Sequence, residues 1–175
     1  PYTYPEPNSP EVRMFYRYGG SFIATMTETN KWVKAYQSPK LELVVNQSIW
    51  MEPETKFADI VLPACTNFER TDTAEWGSCG GYSKDNAVAC NRRVIVYMKK
   101  CVEPLYESKP DYEIFTFLAE RLGFKEDYTE GNSEEDWVKK MFEFSDLPKY
   151  ISFEDFKQKG YYVIPVPEDY KPTPA

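Results

Sequence analysis

The chain has no histidine among its 175 residues, which excludes histidine as a general base or a metal ligand within it. It also lacks any apolar run close to the roughly 20 residues of a membrane-spanning helix, and no signal peptide opens it. Lys and Arg number 21 against 28 Asp and Glu, a net charge of −7 at pH 7. Because clustered basic residues are needed to bind a phosphate backbone, we expect a soluble protein that binds neither nucleic acid nor membrane.

Three motifs of nucleotide-binding and hydrolytic enzymes are also missing. The sequence contains no GxGxxG dinucleotide fingerprint, no GK[ST] of a P-loop and no GxSxG nucleophile elbow. No histidine is available to activate a Ser or Cys nucleophile. We therefore expect no catalytic residue and no self-contained catalysis in this chain.

The four cysteines are too widely spaced for a CxxC metal knuckle; they are Cys65, Cys79, Cys90 and Cys101. Two disulfides would be possible in a secreted domain, but without a secretory signal reduced, partly buried thiols are favoured. We predict no metal site in the chain.

The first third of the sequence alternates β-prone apolar runs with one amphipathic segment. Strands are predicted over residues 13–18, 41–45 and 58–63, with a polar loop over residues 46–55. Thr25 and Glu28 have capping-box spacing before an apolar face, which predicts a helix over residues 26–37. This order favours an α/β fold with a mainly parallel sheet covered by helices.

For the rest of the chain, the sequence predicts a long loop, an edge strand and three helices. Residues 64–91 have no clear period, whereas residues 93–98 are typical of a strand at a sheet edge. Helices are expected from Ser108 to a left-handed cap at Gly123, from Ser133, and over residues 152–159, before a last strand over residues 161–164. The apolar faces expected to point inward are Ile114, Phe115, Leu118 and Leu122 in the first helix and Trp137, Val138, Met141 and Phe142 in the second.

Proline-rich ends suggest connections to further chain. Four prolines stand in the first ten residues, and the sequence begins at Pro1 without an initiator methionine. We expect a piece of a larger protein, with a linker over residues 1–11, an α/β domain over residues 12–130, and a helical extension with a linker over residues 131–175.

Polar residues follow the predicted strands where open α/β sheets place ligands. The Gly19-Gly20 turn can receive a phosphate on backbone N–H groups, or can simply be a turn that needs glycine. Gln47 and Ser48 suit a ribose or diphosphate, or belong to an ordinary polar loop. The Asp111 carboxylate can accept hydrogen bonds from the two N–H groups of a guanine edge, or can simply stabilise the start of a helix.

Three further ionisable residues lie beside apolar runs: Asp59, Glu69 and Arg70. Their side chains are of types that also contact ligands. We interpret them as structural pairing or capping groups.

Several ordered motifs resemble the third domain of the dimethyl sulfoxide reductase family of molybdopterin oxidoreductases. The matching segments are FADIVLPA (57–64), NFER (67–70), EPLYES (103–108), DY (111–112) and LAERLG (118–123). Further segments are similar to the branch of this family that transhydroxylates or dehydroxylates hydroxylated aromatics. These are YGG (18–20), QSIW (47–50), PACTNFER (63–70), Cys101 and DLPKY (146–150).

The resemblance implies a Rossmann-like, three-layer domain that binds one of two molybdopterin guanine dinucleotides, which hold molybdenum or tungsten. It places cofactor contacts at Gly19, Gly20, Ser21, Met26, Asn46, Gln47, Ser48 and Asp111. Many members have Gly-x-Asn-Pro in the first loop, where this chain has Gly-Gly-Ser-Phe. Contacts made by that Asn are therefore not carried over.

The same resemblance implies that the reactive groups belong to other parts of a larger subunit. Iron–sulfur clusters would lie elsewhere in that subunit or in an iron–sulfur small subunit, and the other domains of the large subunit would be partners. Cytoplasmic localisation is expected, with export of the whole protein left open. The alternative is a stand-alone α/β binding or assembly module without catalysis.

Overall fold

A computed structural model of the chain describes residues 8–19, 21–73, 94–165 and 168. The chain divides into two compact units, which are described separately below. The first comprises residues 1–64 with 106–109, and the second residues 65–105 with 110–175. The predicted division after residues 11 and 130 stays a prediction.

The first unit is built on a three-stranded parallel sheet with strand order β1-β2-β3. Its elements are β1 (Met14–Tyr18), α1 (Phe22–Thr25), α2 (Thr29–Tyr36), β2 (Leu43–Ser48), a 3₁₀ turn (Thr55–Phe57) and β3 (Ile60–Pro63). Tyr16 of β1 pairs with Val45, and Val45 pairs with Ile60 of β3, which makes β2 the central strand. Four consecutive residues of β2, Val44 to Gln47, are buried, as is typical of a parallel strand covered on both faces.

The helices of this unit pack on the sheet through aromatic residues. Ile23 of α1 and Tyr36 of α2 form a core with Val44 of β2. The Phe22 and Trp32 rings stack with centroids 4.7 Å apart.

Within its described residues, the second unit has an antiparallel sheet with strand order β4-β5-β6 and four helices. Its elements are β4 (Asp72–Thr73), β5 (Val94–Met98), α3 (Asp111–Leu122), α4 (Lys125–Thr129), α5 (Glu134–Phe144), a 3₁₀ turn (Leu147–Lys149), α6 (Phe153–Lys159) and β6 (Tyr161–Val163). Ile95 and Tyr97 point from one face of β5 into a core formed with residues of α5 and α6, including Phe142 and Phe156.

The predicted α/β class, with a parallel sheet and C-terminal helices, is confirmed. The helix predicted from Ser133 begins there with the capping box between Ser133 and Asp136. Left-handed caps stand at Gly123, as predicted, and at Gly160.

Four details of the prediction are wrong. Glu28 has a left-handed backbone (φ 61°) and caps no helix with its side chain, so the Thr25 capping box does not form and α2 starts at Thr29. The strand predicted to end at residue 45 continues to Ser48. β5 lies in the middle of its sheet, because β4 and β6 pair on either side of it. Helix α3 begins at Asp111, so Ser108 is not its N-cap.

The predicted apolar faces of two helices are partly exposed. Leu118 and Leu122 of α3, and Met141 of α5, remain accessible in the described part of the chain. Periodicity identified the apolar stripes but could not tell whether a neighbour covers each residue.

Candidate functional site

The candidate site of the first unit lies at the carboxyl ends of β1 and β2. Tyr18 pairs with Gln47 and Ser48 with Pro63, so the chain leaves β1 and β2 at the same edge of the sheet. Gly19 follows with φ +58°, and a Cβ built there would meet no atom within 4 Å. This conformation favours glycine and leaves open space above the turn. Gly20 lies outside the described residues.

Ser21 contributes a buried hydroxyl to this turn. The residue is 3% exposed, and its Oγ has no hydrogen-bond partner among the described residues. Its carbonyl oxygen is satisfied by the backbone N–H of Thr25 at 3.2 Å. A buried hydroxyl without a partner costs about 1–3 kcal/mol, so Ser21 Oγ is suited to bind an oxygen of a ligand.

The predicted residues Asn46 and Gln47 are buried and engage protein neighbours. Thr55 donates to Asn46 Oδ1 at 2.8 Å, and the Tyr16 hydroxyl donates to Gln47 Oε1 at 2.5 Å. Because successive side chains of a strand point to opposite faces, the two amides lie on different sides of β2. The side-chain oxygen of each amide therefore accepts a hydrogen bond from a neighbouring protein residue.

Ser48 and Met26 are more accessible than Ser21, Asn46 and Gln47. Ser48 Oγ accepts a long hydrogen bond from the Trp50 N–H at 3.4 Å. Met26 ends α1 with its side chain half-exposed, and its backbone N–H donates to Phe22 O at 2.9 Å.

Glu54 is a central residue of this site that sequence reasoning missed. Its side chain is 1% exposed, and Oε2 accepts from the Phe22 N–H at 2.9 Å. The Tyr36 hydroxyl donates to Oε1, and Arg17 Nε lies 3.5 Å from Oε2. The Arg17 guanidinium also stacks over the Phe22 ring, 3.8 Å from its centroid. Glu54 occurs in a polar loop without periodicity, so no local pattern indicated these contacts.

The remaining predicted residue, Asp111, belongs to the second unit and is described with its own neighbours. It begins α3, and Arg70 Nη1 donates to its Oδ2. Nη2 of the same guanidinium contacts Asp72 Oδ2 and Asn67 Oδ1, each at 3.2 Å. Arg70 Nε is buried without a hydrogen-bond partner among the described residues.

The charges of Arg70 and Asp72 also shift the pKa of a further carboxylate, that of Glu134. Burial raises its pKa, repulsion from Asp72 raises it further, and attraction to Arg70 lowers it. The charge of Arg70 therefore offsets several carboxylates at once.

The structural interpretation of Asp59 and Glu69 is confirmed by their contacts. Asp59 Oδ2 accepts from the Val44 N–H at 2.8 Å, and its own N–H donates to Val44 O at 2.8 Å. Glu69 is buried, and its oxygens accept from the N–H groups of Thr66 and Leu105, each at 2.7 Å.

The second unit also contains a cavity of about 480 Å³ that none of the predicted site residues lines. Lys99, Lys100, Lys157 and Tyr97 contribute to its wall, together with Glu135 and Glu154. Lys157 donates to Glu135, so part of the positive charge of the three lysines is neutralised within the cavity wall. Burial raises the pKa of Tyr97, although Lys157 partly opposes that shift.

Cys65 is buried and Cys101 exposed, whereas Cys79 and Cys90 lie outside the described residues. Over the part of the chain that the structure describes, no cluster of three or more Cys, Asp or Glu side chains has the geometry of a metal site. No helix within the same residues is long and apolar enough to cross a membrane.

The motifs and geometry are matched by known proteins. Residues 4–121 match the molybdopterin oxidoreductase family. The pyrogallol hydroxytransferase large subunit of Pelobacter acidigallici is 47% identical over 174 residues, or 99% of this chain and 20% of that subunit. A dimethyl sulfoxide/trimethylamine N-oxide reductase of Cereibacter sphaeroides is 38% identical over 165 residues, or 91% of this chain and 18% of that enzyme.

This chain therefore belongs to the molybdopterin oxidoreductases of the dimethyl sulfoxide reductase family. It spans about a fifth of the length of the relatives that it matches. The structure of acetylene hydratase from Pelobacter acetylenicus shares its fold, with a TM-score of 0.58 at 18% identity over 89% of this chain and 19% of that one.

The carboxyl edge of the first unit's sheet offers groups whose chemistry suits an anionic ligand. The open turn at Gly19 gives an oxyanion access to the backbone, and Ser21 supplies an unsatisfied buried donor. Both features stand at the carboxyl edge of a parallel sheet, where α/β proteins bind nucleotides.

Proposed function

We propose that this chain is the part of a molybdenum or tungsten oxidoreductase that binds one of two molybdopterin guanine dinucleotides. The buried, unsatisfied hydroxyl of Ser21 beside the open Gly19 turn carries this proposal. Membership of the molybdopterin oxidoreductase family supports it.

The chain's role in that enzyme is to bind and orient the cofactor. Gly19, Gly20 and Ser21 would receive the diphosphate, with Met26 beside them. Asn46, Gln47 and Ser48 would support the ribose side through β2, and Asp111 would accept the guanine N–H groups. When bound, the metal and its dithiolenes supply oxygen or electron transfer.

For the whole enzyme we propose transhydroxylation or dehydroxylation of hydroxylated aromatic compounds. The 47% identity to a pyrogallol hydroxytransferase large subunit over 99% of the chain supports this reaction class. The proposed partners are the other domains of the same large subunit and an iron–sulfur small subunit. The 175 residues alone are proposed to be inactive.

The cofactor assignment is tested on the full-length protein, purified without oxygen. Acid hydrolysis followed by chromatography should release guanine nucleotide, and elemental analysis should detect molybdenum or tungsten in the same fractions. Protein that contains neither would refute the cofactor assignment.

The reaction class needs a separate assay. Incubation of the metal-loaded protein with di- and trihydroxybenzenes should yield products with a moved or removed hydroxyl group. Turnover of sulfoxides or N-oxides, with no change in any phenol, would refute the aromatic assignment while leaving the cofactor assignment intact.

The alternative function, a binding or assembly module without catalysis, is favoured by one observation. Trp50 and Met51 are each 69% exposed in the loop after β2. In a binding module these side chains would contact a protein partner directly. Full-length protein that lacks cofactor but forms a stable complex through this loop would favour that function.

A further inference from the structure

We propose that Glu54 is a positioning residue, which holds Phe22 and the adjoining Ser21 in the conformation that presents Ser21 to the cofactor diphosphate. This inference rests on the proposed function, because it assumes that the turn binds a diphosphate. Both carboxylate oxygens of Glu54 already accept hydrogen bonds from protein donors, so its proposed role is to support the turn and not to bind the cofactor.

Glu54 joins the turn to two other elements of the first unit. Its Oε2 accepts from the N–H of Phe22, the residue directly after Ser21, at 2.9 Å. Its Oε1 accepts from the Tyr36 hydroxyl at the end of α2. A hydrogen bond to a buried carboxylate is stronger than one between neutral groups, so the start of α1 is held at a defined place.

The Phe22 N–H needs an acceptor from outside α1, because the first N–H groups of a helix have no partner within the helix. Phe22 is the first residue of α1, and the acceptor comes from Glu54, a residue 32 positions later. Glu54 therefore satisfies the first backbone donor of α1.

Arg17 balances the charge of Glu54. An isolated buried carboxylate next to a diphosphate would repel it, and Arg17 Nε lies 3.5 Å from Glu54 Oε2. The Arg17 side chain is 20% exposed, and stacking on Phe22 keeps its guanidinium over the turn. Within the described residues Glu54 is its one side-chain hydrogen-bond partner. A guanidinium has further N–H donors, which are suited to an anion.

The test compares Glu54→Gln with Asp59→Ala in the full-length holoprotein. Gln keeps the shape of Glu54 but replaces one acceptor oxygen by a donor NH₂ group, so it cannot accept all three hydrogen bonds. Asp59 is a matched control, because its carboxylate also accepts a backbone N–H, that of Val44 at 2.8 Å. Val44 pairs with Phe15 rather than with the residues at the carboxyl end of β1.

Two quantities are measured for each protein: the thermal midpoint and the rate at which folded protein releases guanine nucleotide during ultrafiltration. Both substitutions should lower the thermal midpoint. E54Q should also release nucleotide about tenfold faster than the unsubstituted protein, whereas D59A should release it at the unsubstituted rate.

Three outcomes would overturn the inference. If E54Q and D59A release nucleotide at the same rate, Glu54 has only a structural role. If E54Q releases nucleotide at the rate of the unsubstituted protein, the carboxylate does not position the turn. If the unsubstituted protein contains no guanine nucleotide, the proposed function fails first and this inference fails with it.

Discussion

Arg70 donates from its guanidinium to the carboxylate of Asp111, a residue 41 positions later in the chain. The same guanidinium contacts Asp72, so one cation holds two carboxylates that come from β4 and the start of α3. Arg70 is four-fifths buried. Asp111, the residue proposed to bind guanine, is therefore held in place by Arg70. Arg70 is the last residue of the NFER motif and lies far from Asp111 in the sequence.

Replacement of Arg70 by leucine should destabilise the protein at neutral pH by on the order of 2 kcal/mol, because the partly buried carboxylates of Asp72 and Asp111 lose their countercharge. The pKa of Glu134 is raised by burial and lowered by Arg70, so R70L should raise it further. An acid with a raised pKa in the folded state loses stability as pH rises through that pKa. The deficit of R70L should therefore widen as pH rises above the folded-state pKa of Glu134 in the unsubstituted protein, which already lies above the ordinary Glu value of 4.5.

Urea denaturation at several pH values measures this effect. Arg70→Lys is the matched control, because lysine keeps the positive charge but cannot contact Asp72 and Asp111 through two separate guanidinium nitrogens. Its loss of stability should depend less on pH. A deficit of R70L that is constant between acidic and neutral pH would contradict the electrostatic explanation.

Asp59→Ala should reduce the free energy of unfolding by about 1–3 kcal/mol, because the N–H of buried Val44 loses its acceptor. Asp59→Asn should cost less, since its side-chain oxygen can still accept. Thermal or urea unfolding of the two variants checks this order, and a larger loss for the Asn variant would be inconsistent with the observed contact.

The capping box of α5 should make stability depend on pH. Ser133 donates to Asp136 through Oγ at 2.6 Å and through its N–H at 2.9 Å, and these bonds lower the pKa of Asp136. The stabilisation is therefore complete above the ordinary Asp value of 3.8 and is lost as pH falls through the lower pKa of the folded protein.

Asp136→Asn tests this pH dependence. Its destabilisation relative to the unsubstituted protein should be present at neutral pH and should shrink in strong acid. Ser133→Ala should cost about 1 kcal/mol at neutral pH. An Asp136→Asn deficit that does not change with pH would show that the carboxylate contributes nothing through its charge.

Ser21→Ala should separate stability from cofactor binding. Because Ser21 Oγ has no partner among the described residues, its removal should leave the thermal midpoint of cofactor-free protein unchanged or raise it. Guanine nucleotide should leave the Ser21→Ala holoprotein several-fold faster, by about threefold to tenfold. A lower midpoint with an unchanged release rate would remove Ser21 from the proposed site.

The sequence allowed the elements with strong local signals to be predicted. Ser133 with Asp136, and the glycine at position 123, act within one helical turn, so their spacing was sufficient. Thr25 and Glu28 had similar spacing, but the left-handed backbone at Glu28 starts α2 by a different geometry. A short motif predicts a cap only where the flanking backbone can enter the helix in the usual way.

The candidate site was predicted less completely because its contacts are long-range. Glu54 meets Arg17, Phe22 and Tyr36, which are 37, 32 and 18 positions away. The sequence predicts a polar loop from Asn46, but Thr55 donates to the amide oxygen of Asn46, which lies in the buried strand β2. Neither relationship leaves a periodic trace in the sequence.

The two sheets differ in when their strands become available during synthesis. All three strands of the parallel sheet come from Met14–Pro63, whereas β5 pairs with β6, which comes from Tyr161–Val163. Pairing between distant segments is slow, because closing the long loop between them lowers the chain entropy before any stabilising contact has formed. On the ribosome the first sheet can therefore assemble early, while β5 keeps one edge unpaired until the last helices have been made.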